Sequence, residues 1–338
     1  MTTSASSVDA AGPSAVFELG TAFCTAKCLL TALELSLFTV LGDDEMTAEE
    51  LRVKLDLHPR GTPDFLDVLA ALDLLEKNDG RYRNSALAGR HLVRTGDGYI
   101  GGFLERANHM LYPAWGRFGE MLRTGKPTAE ADYMEMIKEP NRLRSFLGMM
   151  DALTTLIVPE LARAIEWTAY RSMVDVGGAR GNLTGGLIKA HPHLSGTVFD
   201  LPEMRTPFDE HMRALGLEEK TTFQAGDFFT DPIPSADVVV IGHVLHDWSP
   251  DECRALVRKA FDAVRPGGKL VVYDRMVDEE GTDLTNLIIS LDMMLTTPGG
   301  AEYPPSEYQG WLTEAGFGST EVAPLGENDT VVIGHKAG

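Results

Sequence analysis

After Ser172 the chain alternates short strand-like runs with helical stretches, and the strand-like runs MVDVGG, GTVFD, TTFQAGD, ADVVVIGH and KLVVYD end in or beside Gly or Asp. Parallel neighbours cannot be joined by a tight turn, and a helix supplies the crossover they need. The alternation therefore demands a mainly parallel sheet with helices on both faces. A last pair of runs, STEVAPL and TVVIGHK, closes the series and is expected to end the sheet with an antiparallel strand.

Upstream the pattern is helical. From Ala15 to about Val40 apolar residues such as Phe17, Leu19, Phe23, Leu30, Leu33 and Leu37 recur at helical spacing and on most sides, which predicts burial against other helices or a second copy of the chain. Thr47 and Glu50 form the ends of a capping box, and a second helix after Thr62-Pro63-Asp64 is expected to turn Leu66, Leu69, Leu72 and Leu75 inward. Asn78-Asp79-Gly80-Arg81 reads as a hairpin turn. Helices followed by a small hairpin have the outline of a winged helix, yet the segment DFLDVLAALDLLEKN is acidic and apolar where a DNA-reading helix is basic and polar. Its expected role is structural. The region from Tyr99 to Tyr170 is helical and rich in aromatics and methionines, of which Phe103, Met110, Trp115 and Met150, with Met294 further on, are candidates to line an apolar acceptor pocket. The expected divisions are a disordered tail over 1–12, a helical winged-helix-like domain over 13–100, a helical linker and pocket region over 101–165, and the α/β domain over 166–338.

Composition narrows the function. The chain has 338 residues, 43% hydrophobic and 24% charged, enough for a large core. Its 30 Lys and Arg against 50 Asp and Glu give a formal charge of −20, which repels phosphate backbones, so no nucleic-acid partner is expected. The start lacks the basic-then-apolar plan of a secretion signal, and no membrane-spanning run of about 18 apolar residues stands out. Three cysteines, Cys24, Cys28 and Cys253, suit a reducing cytoplasm, with Cys24 and Cys28 read as two buried residues on one helix face.

The segment Met173-Val174-Asp175-Val176-Gly177-Gly178-Ala179-Arg180-Gly181-Asn182-Leu183 is a strand, a glycine-rich turn and a helix start, the place where such folds admit a ligand to the backbone. Many nucleotide binders share it. The later strand ends discriminate better: Asp200 can accept ribose hydroxyls, and Asp227 with Phe228 can hold an adenine amino group and ring face. Asp175, Asp200 and Asp227 around one nucleoside favour a cation over a pyrophosphate. A sulfonium meets that requirement.

The motifs DVGGARG, FDLP, AGDFF, HVLHDWSPDEC and RPGGKLVVYD resemble, in order and spacing, those of the S-adenosylmethionine-dependent small-molecule O-methyltransferase family, the plant caffeate and bacterial polyketide type. The resemblance covers the whole chain. It implies a Rossmann-like class I methyltransferase domain behind a winged-helix-like dimerisation domain, a cytoplasmic homodimer, S-adenosylmethionine as cofactor and no membrane partner. It places Asp175, Gly177, Gly178 and Gly181 at the methionine end of the cofactor, Asp200 and Leu201 at the ribose, Asp227 and Phe228 at the adenine, and His243 among the cofactor contacts. His246 becomes the general base and Glu302, with Asp247 as a second candidate, the carboxylate that orients it. Two positions depart from the family pattern: Ala179 stands where a glycine is frequent, and Gly242 where plant members often carry a lysine or other polar residue.

Alternatives remain at this stage. His243, His246 and Asp247 form a His-x-x-His-Asp cluster of the kind that ligates iron or zinc, and some relatives that methylate carbon beside a keto acid are similar. The further histidine they use is absent from Leu291-Asp292-Met293-Met294-Leu295-Thr296-Thr297-Pro298, so no metal is expected. N- or C-methylation, and a non-methylating enzyme on the same scaffold, are the other readings.

Overall fold

The computed structural model describes residues 12–96, 98–129 and 133–338; the tail expected over residues 1–12 lies outside them except for Gly12. The chain forms two compact units, divided between Tyr112 and Pro113.

In the first unit the long helix Pro13–Glu34 stops where Ser36 takes a left-handed φ of 57°, and a short helix Leu37–Leu41 follows. Three short strands, β1 (Met46–Thr47), β2 (Leu75–Asn78) and β3 (Arg81–Asn84), form an antiparallel sheet in the order β1-β3-β2. The expected hairpin joins β2 to β3, with Asp79 and Gly80 both left-handed at φ 47° and 76°, as a two-residue turn of this hand requires. The helix Ala48–Lys54 has the full Thr47/Glu50 capping box. Ala32, Leu33, Leu37, Phe38, Leu51, Leu66, Leu69 and Tyr82 form the core.

Several expectations fail here for local reasons. The helix that starts at Thr62 ends at Ala71, because Asp73 turns the backbone left-handed at φ 56°; Leu72 is left at the surface, and Leu75 reaches the core from β2 rather than from the helix. Cys24 is exposed and Cys28 half-buried, so they are not a buried pair. Val16, Phe17, Leu19 and Phe23 are 57–80% exposed in the single chain. By length and composition alone, Pro13–Glu34 and Arg142–Ala164 are apolar enough to cross a membrane, against the expectation that no such run stands out.

The second unit is built on strands β4 (Ser172–Val176), β5 (Ser195–Asp200), β6 (Thr221–Ala225), β7 (Ala236–Gly242), β8 (Val264–Asp274), β9 (Ser319–Leu325) and β10 (Asp329–His335), in the order β6-β5-β4-β7-β8-β10-β9. The first five are parallel, and β10 is antiparallel to both β8 and β9. Both faces are buried. Along β7, Val239 and Ile241 join one core with Leu270 and Val272, while Val238 and Val240 join the other with Val271 and Tyr273. That period of two, apolar on both sides, is what a sheet between helical layers requires. The helix Pro140–Ala164, expected in a separate linker, packs on the helix Asn182–Ala190 within this unit. The strand order reverses between β4 and β7, so the crevice at their carboxyl ends is the natural ligand site.

Candidate active site

The turn after β4 delivers the first group of side chains to that crevice. Gly177 has φ 71° and its missing Cβ would stand 2.8 Å from Val244 Cγ2, so both conformation and space demand glycine there. A Cβ on Gly178 would meet the Asp175 carboxyl at 2.5 Å, and Gly181, at φ 82°, leads into the helix Asn182–Ala190. Asp175 is 3% exposed and accepts from Thr184 Oγ1 at 2.9 Å. Asp200, at the end of β5, accepts from the amides of Ala179 at 2.7 Å and Leu201 at 2.6 Å, which ties the glycine turn to the neighbouring strand. Burial first, and the Asp200 charge after it, push the Asp175 carboxyl up to about 7; burial pushes Asp200 up to about 6, against the two backbone amides that lower it.

Asp227 accepts from the amide of Phe229 at 2.8 Å, and Phe228 stands edge-on to Phe229 and Trp248. Lys259 fastens this loop by donating to the Phe228 carbonyl at 2.5 Å. Phe228 also lies within 4.0 Å of where a Gly177 Cβ would be, so the turn and the aromatic wall belong to one site. Ala179, at φ 50°, keeps a methyl group on a left-handed residue. Gly242 has no room for any side chain, because the ring of Tyr273, its partner on β8, comes within 2.0 Å of the would-be Cβ.

The second group surrounds His246, in the short turn Leu245–Asp247 after β7. Its Nδ1 is 2.6 Å from Glu302 Oε1 and 3.7 Å from Asp274 Oδ1, and its Nε2 is 4.0 Å from Asp247 Oδ1. Glu302 is held by its own amide, which donates to Ser290 Oγ at 3.1 Å. The loop before it passes close under the histidine: a Cβ on Gly300 would lie 2.3 Å from the His246 carbonyl oxygen. Asp274, the last residue of β8 and fully buried, accepts from Tyr308 Oη at 2.9 Å; sequence reasoning missed it, although a carboxylate ending KLVVYD was a signal of the same kind as Asp200 ending GTVFD. Burial alone lowers the His246 imidazole, but the charges of Glu302 and Asp274, the Glu302 hydrogen bond and Asp247 outweigh it and raise the group to about 10.

His243 and His246 lie side by side as stacked rings, with centroids 5.8 Å apart, and His243 Nε2 is engaged by Asp329 Oδ1 at 2.5 Å. The His-x-x-His-Asp set is therefore not turned toward a common point. Among the described residues no group of three His, Cys, Asp or Glu side chains is arranged to hold a metal ion. Of the acceptor-pocket candidates, Phe103 and Met110 lie in the first unit, on the helix Gly101–Arg106 and the π-helical turn Ala107–Leu111. Trp115, in the second unit, donates its indole N–H to the buried Asp292 at 2.6 Å. Met150 is half-buried on Pro140–Ala164, and Met294 is 37% exposed on the helix Leu284–Thr296.

A sheet of this order, with a glycine turn after its first strand and a carboxylate at the end of the next, defines a class I methyltransferase domain. Residues 123–318 match the O-methyltransferase domain family and residues 17–94 the O-methyltransferase dimerisation domain. The tetracenomycin polyketide synthesis 8-O-methyl transferase TcmO of Streptomyces glaucescens is 44% identical over 96% of this chain and 97% of its own length. The N,N-dimethyltransferase OxyT of Streptomyces rimosus is 39% identical over 89% of this chain and 90% of its own. The solved structure of the S-adenosylmethionine-dependent methyltransferase SibL is 29% identical, with a TM-score of 0.73 over 96% of this chain and 99% of that one. The chain belongs to the O-methyltransferase family and is an S-adenosylmethionine-dependent O-methyltransferase.

Proposed function

We propose that the enzyme methylates a phenolic hydroxyl on an aromatic, polyketide-like acceptor, with His246 as general base. The carrying observation is the His246–Glu302 contact. Glu302 accepts a hydrogen bond from Nδ1–H at 2.6 Å, which leaves Nε2 as the nitrogen that can accept a proton; among the described residues no hydrogen bond to Nε2 is present. The carboxylates beside it hold the His246 imidazole well above its ordinary range, toward that of a phenol, which strengthens it as a proton acceptor.

The residues that would hold the cofactor are Asp175, Gly177, Gly178 and Gly181 at its methionine end, Asp200 and Leu201 at the ribose, and Asp227 with Phe228 at the adenine. The donor set fits it: burial raises both Asp175 and Asp200, so a carboxylate at the first gains from a nearby cation and one at the second from hydroxyl donors. When bound, S-adenosylmethionine supplies the methyl group and a neutral thioether as leaving group. His246 Nε2 takes the hydroxyl proton, which leaves the acceptor oxygen as the nucleophile. Glu302, with Asp274 behind it, stabilises the imidazolium so formed, and Asp247 flanks Nε2. Trp115, Met150 and Met294 of the second unit are the candidates to line the acceptor side. The working form is a cytoplasmic homodimer, which the match to the dimerisation family supports, and the net charge of −20 disfavours nucleic acid and anionic membrane surfaces as partners.

The test is methyl transfer from labelled cofactor to candidate phenols and to matched amines, the latter because OxyT is an N,N-dimethyltransferase. We expect phenols to be methylated and His246→Gln to lower kcat roughly 10²- to 10⁴-fold, the usual contribution of a positioned base. Preferential methylation of amines, or native turnover by His246→Gln, overturns the reading.

A further inference from the structure

One buried cluster beside His246 has no part in the reaction as proposed: His243 with Asp329. Nε2–H of His243 donates to Asp329 Oδ1 at 2.5 Å, and the two side chains are 7% and 6% exposed. A buried pair of this kind is a poor stabiliser compared with apolar packing of the same volume. His243 also holds a left-handed backbone at φ 51°, which a side chain with a Cβ disfavours. Such strain persists only where the surroundings over-determine it. Here the His243 amide donates to the Tyr273 carbonyl at 3.0 Å, the imidazole meets the Tyr273 ring at 5.1 Å and 71°, and Asp329 fixes the far nitrogen.

What this arrangement produces is a ring parallel to that of His246, with 11° between the planes and 5.8 Å between centroids, inside the range of offset-stacked rings. Glu302 holds His246 by Nδ1, and one hydrogen bond fixes that atom but not the plane of the ring. A flat neighbour fixes the plane. We infer that His243, locked by Asp329, is a positioning residue that fixes the plane of the His246 imidazole and thereby the direction of Nε2. The inference rests on the reading of His246 as base, and it gives His243 a different part from the cofactor contact expected from sequence. Glu302, Asp274 and Asp247 face His246, and Asp329 and Tyr273 face His243, so removing the His243 ring leaves the carboxylates around His246 in place.

The experiment compares His243→Ala, Asp329→Asn and the double variant His243→Phe/Asp329→Asn, each also in a His246→Gln background, by steady-state kinetics over pH and by calorimetric titration with S-adenosylmethionine and S-adenosylhomocysteine. His243→Ala is expected to lower kcat about tenfold or more, since small misplacements of a reacting group carry losses of that order. The midpoint of its pH profile stays at the native value, because the carboxylates that set it remain, while cofactor Kd stays within about threefold of native and no further loss appears on top of His246→Gln. The double variant restores a planar wall and returns kcat to within about threefold of native. Native kcat in His243→Ala, a tenfold loss of cofactor affinity at native kcat, or the same fall in the His246→Gln background each overturns the inference. Should His243→Ala fail to fold, Asp329→Asn, which keeps an acceptor oxygen, and the double variant decide the matter, and a deep loss of kcat in the double variant alone counts against the planar wall. A His246→Gln enzyme of native rate overturns the base reading itself; an inactive His246→Gln beside an unaffected His243→Ala overturns only the positioning role.

Discussion

His246 is pulled in two directions, downward by burial and upward by the carboxylates of Glu302, Asp274 and Asp247, and the upward pull wins to about 10. Because this raised value lies above the ordinary 6.5, the protonated imidazole stabilises the fold fully below about 6.5, and that contribution is lost as pH rises through about 10. A base must be unprotonated to act, so kcat/KM should climb with pH to an apparent pKa well above neutrality. Glu302→Gln removes the largest upward influence. Its kcat/KM profile should rise at lower pH than the native one, with a plateau lower by roughly 10²-fold; an unmoved midpoint contradicts the orienting role of Glu302. The signs differ for the cofactor carboxylates. Asp175 and Asp200 are raised to about 7 and about 6, so their folded-state benefit is present below 3.8 and lost as pH rises through those values. At neutral pH they weaken the cofactor-free fold, and a bound cation relieves them. S-adenosylmethionine should therefore bind more tightly at about pH 8 than at about pH 5.5, release protons between about pH 6 and 7, and raise Tm more at the higher pH. Calorimetry in buffers of different ionisation enthalpy reads the proton count directly, and proton uptake on binding would contradict the assignment of these aspartates.

At the scale of elements, much of the fold was legible because its signals are local. The alternation of MVDVGG, GTVFD and ADVVVIGH with helical stretches pointed to the parallel sheet, the pair STEVAPL and TVVIGHK to its antiparallel end, and Thr47 with Glu50 and Asp79-Gly80 marked a helix start and a turn. The misses arise where tertiary contact overrides spacing. Leu72 and Leu75 continue a helical pattern, yet the left-handed turn at Asp73 ends the helix so that Leu75 can pack from a strand. The glycine turn and His246 could be placed from their motifs, whereas Asp274 joins the site only because β8 lies beside β7 and the loop of Glu302 returns under both, a non-local fact. The pairing of Gly242 with Tyr273 is of the same kind. With 2.0 Å between the would-be Cβ and the Tyr273 ring, Gly242→Ala should destabilise the second unit by about 1–3 kcal/mol, the usual penalty of overpacking. Adding Tyr273→Leu should return part of that loss; chemical denaturation of the three variants measures it, and an additive double variant means that the two residues do not compete for space.

For the whole molecule the open question is what covers the helix Pro13–Glu34. Val16, Phe17, Leu19 and Phe23 are exposed to 70%, 73%, 80% and 57%, and a contiguous apolar surface of this size on a lone chain marks an interaction site. Two occupants meet the demand, a second copy or a bilayer, since the helix is long and apolar enough for the latter by composition. The match of residues 17–94 to the dimerisation family favours the copy, and so does the bulk charge of −20, which an anionic membrane surface repels. Each large side chain fully covered contributes about 1.5–3 kcal/mol, so a few of them on each of two chains suffice for a firm dimer. Sedimentation velocity without detergent should thus give a dimer. Phe17→Glu/Leu19→Glu should shift it toward monomer and, through lost protection of the same surface, lower Tm. A native chain that sediments as monomer, or that partitions into neutral vesicles while the double variant stays in solution, would show that the bilayer and not a second copy is the partner of this helix.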